Sequence, residues 1–188
     1  MKISSLLAAM LMILGLFIAA KAQAALPVNI EDMVKASEKI VVGEVVKVKQ
    51  GHHPQYTNVS VTYITVKVAK ALKGKPNQEF TFMQYGGKEE VIADMPQYKE
   101  KEEVLLFLYP ESRVGFTSPV GLEQGKFHIE NDAKTGERQF INGAGNYLLF
   151  DGVKSRPSMH SSIRKLLTSR KGTVSYHDFL LLIQEFAK

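Results

Sequence analysis

Between Tyr63 and Ile64 the apolar face of a long β-branched segment changes sides. Val59, Val61 and Tyr63 fall on one parity, and Ile64, Val66 and Val68 on the other. Successive strand residues point to opposite faces, so one flat strand cannot bury both sets on one side. Either a bulge resets the phase, or the strand is long enough to serve two sheet surfaces. Both solutions belong to a small, strongly curled sheet.

The neighbouring segments fit that sheet. Ile40-Val41-Val42-Gly43-Glu44-Val45-Val46-Lys47-Val48 is a strand pattern interrupted by Gly43, which marks a bend or a close approach of another backbone. Leu72-Lys73-Gly74-Lys75-Pro76-Asn77 is a turn, and Phe80 and Phe82 alternate in a third strand that ends at Tyr85-Gly86-Gly87. Residues 88–101 read as a polar loop crossing the barrel. Val104-Leu105-Leu106-Phe107-Leu108 is a continuous apolar run suited to a strand buried on both faces. Residues 114–120 are a candidate short strand. Residues 126–130 and 138–142 pair as a hairpin across the turn at 131–136. Gly143 and Gly145 loosen the chain before Tyr147-Leu148-Leu149-Phe150. No helical period interrupts residues 39–146, so an antiparallel barrel or sandwich is expected.

Helical patterns flank the strands. Asn29 caps a short amphipathic helix carrying Ile30, Met33 and Val34. Met159, Ile163, Leu166 and Leu167 form a second stripe that stops at Gly172. Ser175 and Asp178 open a third helix in the manner of a capping box, with Phe179, Leu182, Ile183 and Phe186 as its buried face. The expected class is mainly β with α: an OB-like antiparallel β-barrel over 25–150, a short N-terminal helix, and a C-terminal helical pair over 151–188 packed on the barrel.

Residues 1–24 read as a signal peptide. Lys2 is followed by an uncharged apolar run, and Ala22-Gln23-Ala24 offers a small-x-small site, so cleavage is expected between Ala24 and Ala25. Cleavage removes Lys2 and Lys21 and no acid, lowering the formal charge from +5 to +3. The destination is the periplasm or the extracellular space. No membrane span remains, and nucleic acid is not an expected partner. The chain has no cysteine, which excludes disulfides, thiolate catalysis and iron–sulfur clusters.

The remaining motifs point to no cofactor, metal or catalytic set. His52-His53 could meet a metal together with His128 or His160, but adjacent side chains diverge, and solvated loop histidines are the simpler reading. The C-terminal helix pair superficially resembles an EF-hand. Its first ligand positions, though, would be Leu167, Ser169 and Lys171, a set too poor in oxygen for calcium. Arg164, Lys165, Arg170 and Lys171 form a basic helix end that could touch anionic lipid or polysaccharide, or simply be solvated.

One further pattern joins these segments. Ala36-Ser37-Glu38-Lys39-Ile40-Val41-Val42-Gly43-Glu44-Val45, Ile64-Thr65-Val66-Lys67-Val68, Ala71-Leu72-Lys73-Gly74, Gly86-Gly87, the 103–108 run and Gly121, Gly125, Lys126 and Phe127 follow one another in a fixed cadence. Over residues 36–129 the chain resembles a group of exported bacterial proteins of unknown function. It is also similar, more distantly, to netrin-like domains and to the tissue metalloproteinase inhibitors (TIMP-like domains). The resemblance implies an OB-like barrel. It carries no inhibitory mechanism, because those inhibitors use an N-terminal cysteine that this chain lacks. The reading is therefore an exported, non-enzymatic binding or accessory module. Its candidate rim is His52, His53, Tyr85 and Tyr98, and its partner an envelope or extracellular protein or a glycan. The alternative is a periplasmic hydrolase whose Ser, His and Asp converge from distant positions.

Overall fold

The computed structural model describes residues 26–87, 92 and 94–188. The export segment and the Ala24–Ala25 junction lie outside them, as does part of the 88–101 loop. Among the described residues no helix is long and apolar enough to cross a membrane.

Helix α1 (Ile30–Ala36) starts where Asn29 accepts a hydrogen bond from the Asp32 amide at 2.9 Å. Seven strands follow: β1 (Lys39–His52), β2 (Ser60–Lys73), β3 (Glu79–Tyr85), β4 (Glu103–Leu108), β5 (Lys126–Asn131), β6 (Arg138–Asn142) and β7 (Val174–Ser175). A 3-10 turn, Leu122–Gln124, precedes β5, and helices α2 (Ser161–Leu166) and α3 (Tyr176–Phe186) bracket β7. All seven strands join one mainly antiparallel sheet in the order β3-β2-β1-β4-β5-β6-β7. Among the described residues the fold is thus mainly β with three α-helices. The sheet is open, with β3 and β7 at its edges, where a closed barrel was expected. The candidate strand at 114–120 is reduced to isolated bridges, Met83 to Phe116 and Leu108 to Pro119. Pro119 has no amide proton to extend a ladder.

The phase change in β2 falls within continuous pairing to β1. The register runs without a break from Lys49 opposite Tyr63 to Val48 opposite Ile64, so no bulge lies between them. Ile64 and Val66 enter one cluster with Val41, Val45, Phe82, Tyr98, Val104, Leu106 and Leu108. Residues of the alternate parity in β1 and β4, namely Ile40, Val42, Leu105 and Phe107, join a second cluster. That cluster is covered by all three helices through residues such as Met33, Ile163 and Phe179. The apolar run of β4 is buried on both faces, as its composition required.

Gly43 sits beside a register shift at Val42/Gly43. A Cβ added there would lie 2.5 Å from the Lys67 carbonyl oxygen and 2.8 Å from a Val66 methyl. Gly43→Ala is therefore expected to lower stability by about 2–3 kcal/mol, since the obstacle is backbone that cannot rotate away. Urea titration tests this, and an unchanged midpoint would show that the two strands separate more easily than their packing implies.

Tyr147 to Phe150 forms turns. The C-terminal part differs from its pattern at the start of α3. Ser175 makes no side-chain cap; the Asp178 carboxylate accepts instead from the Ser162 hydroxyl at 2.8 Å, tying α3 to α2.

Candidate binding site

A cleft of about 440 Å³ opens where the N-terminal segment, the turn before β5 and the turn after β6 meet; Leu26, Pro27, Asp94, Glu123, Ala144 and Tyr147 line it. Its volume falls within the usual range for small-ligand pockets.

Three buried amides brace this cleft. The Gln124 side chain accepts from the Val28 amide at 2.8 Å and donates to the Leu26 carbonyl at 3.0 Å, holding the N-terminal segment as a strand partner would. Asn142 donates to the Gln124 carbonyl at 2.9 Å and accepts from the amides of Ala144 and Asn146. Asn146 in turn accepts from the Asn142 amide and donates to the carbonyls of Phe140 and Gly172. Every polar atom of these three side chains is matched, as a buried network requires. The Gly143–Gly145 stretch is thus pinned, where its glycines led us to expect a loosened chain.

Backbone strain gathers at the same place. Asp94, Leu122, Asn146 and Leu148 adopt positive φ of 59°, 59°, 55° and 55°. Asn tolerates this region, but a leucine there carries a real cost and is held by its surroundings. Gly143 is needed for a different reason: a Cβ there would come within 2.6 Å of the Glu123 carboxylate. That carboxylate and the one on Asp94 make no ion pair among the described residues, although each main chain is bonded, Glu123 N to Asp94 O at 3.3 Å and Gly143 N to Glu123 O at 3.2 Å. Tyr147 stands 56% exposed at the margin.

Comparison with known protein families, curated proteins and solved structures finds no match. The chemistry of the site must therefore be read from its own residues.

The expected rim residues are dispersed. His53 is only 1% exposed, so it is not a solvated loop histidine. Its Nε2 lies 2.8 Å from the Val114 carbonyl, and its Nδ1 accepts from the amides of Gln55 and Tyr56 at 3.1 Å each. This pattern places the proton on Nε2 and uses the Nδ1 lone pair, so neither nitrogen is left for a metal or substrate. The ring packs between Tyr56 and Phe116, at 4.9 and 5.1 Å. His52 is exposed, and its carbonyl accepts from the Tyr63 hydroxyl. Tyr85 is 40% exposed and packs edge-on against Phe116.

Tyr98 leaves the rim altogether. It enters the cluster built from β1, β2, β3 and β4, edge-on to Phe82 at 5.7 Å, with the Lys126 ammonium 4.6 Å from its ring centroid. Its hydroxyl is buried with no hydrogen-bond partner among the described residues. Burial, reinforced by the carboxylates of Glu123 and Glu102, pushes that hydroxyl well above the usual tyrosine pKa.

Beside it lies the strongest charge cluster of the described residues. Lys126 donates to Glu102 at 2.9 Å and to the Gln97 carbonyl, and His128 Nδ1 lies 2.7 Å from the same Glu102 oxygen. Burial alone would raise the Glu102 pKa, but the hydrogen bonds from His128 and Lys126 and the lysine charge hold it at about 2. The cluster fastens residues 97–102 to β5 and lines none of the cavities described here.

Among the described residues Ser, His and Asp do meet, at Ser162, in the wrong order for a triad. The Ser162 hydroxyl donates to Asp178 at 2.8 Å while His160 Nδ1 lies 2.9 Å from the same hydroxyl. A nucleophilic triad needs histidine between serine and the acid, so that the ring can take the serine proton. Here serine stands in the middle, and His160 caps α2.

Sequence reasoning passed over Asn142, Asn146 and Gln124. The available signal was Asn142-Gly143 and Gly145-Asn146: asparagines beside glycines favour side-chain bonds to the local backbone.

Proposed function

We propose that this chain is an exported, non-enzymatic binding module built on an OB-like barrel, and that the cleft between Leu26, Glu123 and Tyr147 holds its ligand. The barrel reading is supported by contacts that continue beyond the open sheet. Thr117 N donates to Met83 O at 3.0 Å, Tyr109 N to Ser118 O at 3.1 Å and Val120 N to Phe107 O at 2.7 Å. They run from β3 to residues 114–120 and from there to β4, in keeping with a ring order β1-β2-β3-(114–120)-β4. That order also favours kinship with the exported bacterial proteins and the netrin-like domains.

The observation that carries the functional reading is the cleft itself: a mixed lining that includes Leu26, Pro27 and Tyr147, two carboxylates unpaired among the described residues, and walls braced by satisfied buried amides. A preorganised site of this kind gains affinity because its walls need not be ordered on binding. The face shared by β1, β2, β3 and β4 is filled by Val41, Val45, Ile64, Phe82 and Leu106, so a ligand is bound on the outside. An apolar side chain carrying a cationic end matches the lining.

Titration of the protein with acetyl-leucyl-lysine amide, followed by amide NMR, is expected to shift residues 26–28, 121–124 and 143–147. Asp94→Asn and Glu123→Gln should each weaken that binding about two- to fivefold. Shifts elsewhere, or turnover of ester or amide substrates abolished by Ser162→Ala, would overturn the reading in favour of a hydrolase.

A further inference from the structure

A second concave surface lies on the sheet, away from the cleft. The register sets Lys47 opposite Thr65 and Thr65 opposite Thr81, and in the next row Lys49 opposite Tyr63. These five side chains line a groove of about 260 Å³ across β1, β2 and β3. Cross-strand neighbours on one face stay in fixed mutual positions, so the groove is part of the sheet and not of a loop.

Each group has a defined role available. The Tyr63 hydroxyl donates to the His52 carbonyl at 3.1 Å, which anchors its ring. The hydroxyls of Thr65 and Thr81 lie 2.8 Å apart. One donates to the other, which leaves a hydroxyl proton and further lone pairs for a ligand. Lys47 and Lys49 are exposed and make no ion pair among the described residues. The nearby acids are placed otherwise. Glu100 accepts from the Val48 amide at 3.3 Å, and Glu44 and Glu79 sit opposite Lys67 on either side.

A pinned aromatic ring, a hydroxyl pair and two free ammonium groups match one ligand chemistry. The C–H face of a sugar ring packs on an aromatic face, its hydroxyls both donate and accept, and a sugar carboxylate answers an ammonium. Single-stranded nucleic acid would call for successive aromatic platforms along a basic track, and this groove is lined by one ring, with acids at its flanks. A lipid surface would call for an apolar wedge, which this groove lacks. We propose that the outer face of β1–β3 binds a strand of acidic polysaccharide, one or two uronic acid residues at a time. This site stands independently of the cleft.

Calorimetric titration of the protein with hexagalacturonate tests it, with cellohexaose, single-stranded DNA and phosphatidylglycerol vesicles as comparisons. Hexagalacturonate is expected to bind, more weakly as salt is raised, and cellohexaose at least about tenfold less tightly. The Lys47→Gln/Lys49→Gln double variant should lose about five- to tenfold in affinity with its thermal midpoint unchanged, because both lysines are exposed. No binding of hexagalacturonate, equal binding of cellohexaose, or full affinity in the double variant would overturn the proposal. Tighter binding of DNA or of the vesicles would overturn it too, and would reassign the face to a phosphate-bearing partner.

Discussion

Ending the chain at residue 174 is expected to abolish cooperative unfolding, and Phe179→Ala alone to cost about 3–5 kcal/mol. The reason lies in what α3 covers. Phe179, Leu182 and Ile183 are fully buried, and the Phe179 ring lies 5.2 Å from Phe127, 5.7 Å from Phe140 and 6.3 Å from Phe150. Those rings belong to the same cluster as Ile40 and Leu105 in the centre of the sheet. Removing the helix would uncover the back of β1, β4, β5 and β6 together. Whole-domain stabilities are about 5–15 kcal/mol, so even the single substitution takes a large share. Circular dichroism melts decide the matter. A truncated chain that melts sharply near the full-length midpoint would mean that α3 is an appendage for docking elsewhere.

The second large effect concerns Lys126, whose side chain is 3% exposed, and Glu102, whose side chain is 16% exposed. Lys126→Ala leaves Glu102 with its desolvation but without its principal counter-charge. A loss of about 2–3 kcal/mol is expected, moderated by the part of Glu102 that still meets water. Acid exposes the same linkage from the other side. Glu102 titrates at about 2 in the folded protein, below its ordinary value of 4.5, so it stabilises the fold fully above the ordinary value. That contribution is lost as pH falls from there through about 2, and amounts to about 1–2 kcal/mol after screening by solvent. Glu102→Gln should therefore flatten the decline in stability between pH 5 and about pH 2. Parallel urea titrations of the two proteins would settle it; identical slopes would place the acid sensitivity elsewhere.

Much of the sheet could be read directly from residue order. The parity change at Tyr63–Ile64, the two-faced run of β4, the Asn29 cap and the close approach at Gly43 are all local statements about which side of a backbone is apolar. Periodicity reports these because burial of hydrocarbon is non-directional and follows the strand or helix repeat. The candidate binding site was less legible. His53 looked like a loop histidine because nothing nearby in the chain announces Val114 or Phe116. Tyr98 looked like a rim residue because its polar loop gives no sign that the ring turns inward. Gln124 meets Leu26 and Val28 across 98 and 96 residues of sequence, and Lys126 in β5 finds Glu102 just before β4. Hydrogen bonds and ion pairs are directional and pairwise, so their partners emerge only once the fold has brought distant segments together.

The position of β1 has a consequence for how the chain reaches this structure. Its first half is bonded on both edges, to β2 and to β4, with Lys39 opposite Leu108. The hairpin to β2 can form early and locally. The pairing with β4 waits until the whole of β2, β3 and the long loop has been gathered in, an entropic cost that must be met before any of those contacts forms. Chains dominated by such distant pairings fold in about milliseconds to seconds, where helical bundles take microseconds. Until that closure, the apolar stretches of β1 and β4 are present without each other, so a contact that must wait for a long loop to close is also one that hides a strongly apolar part of the sheet.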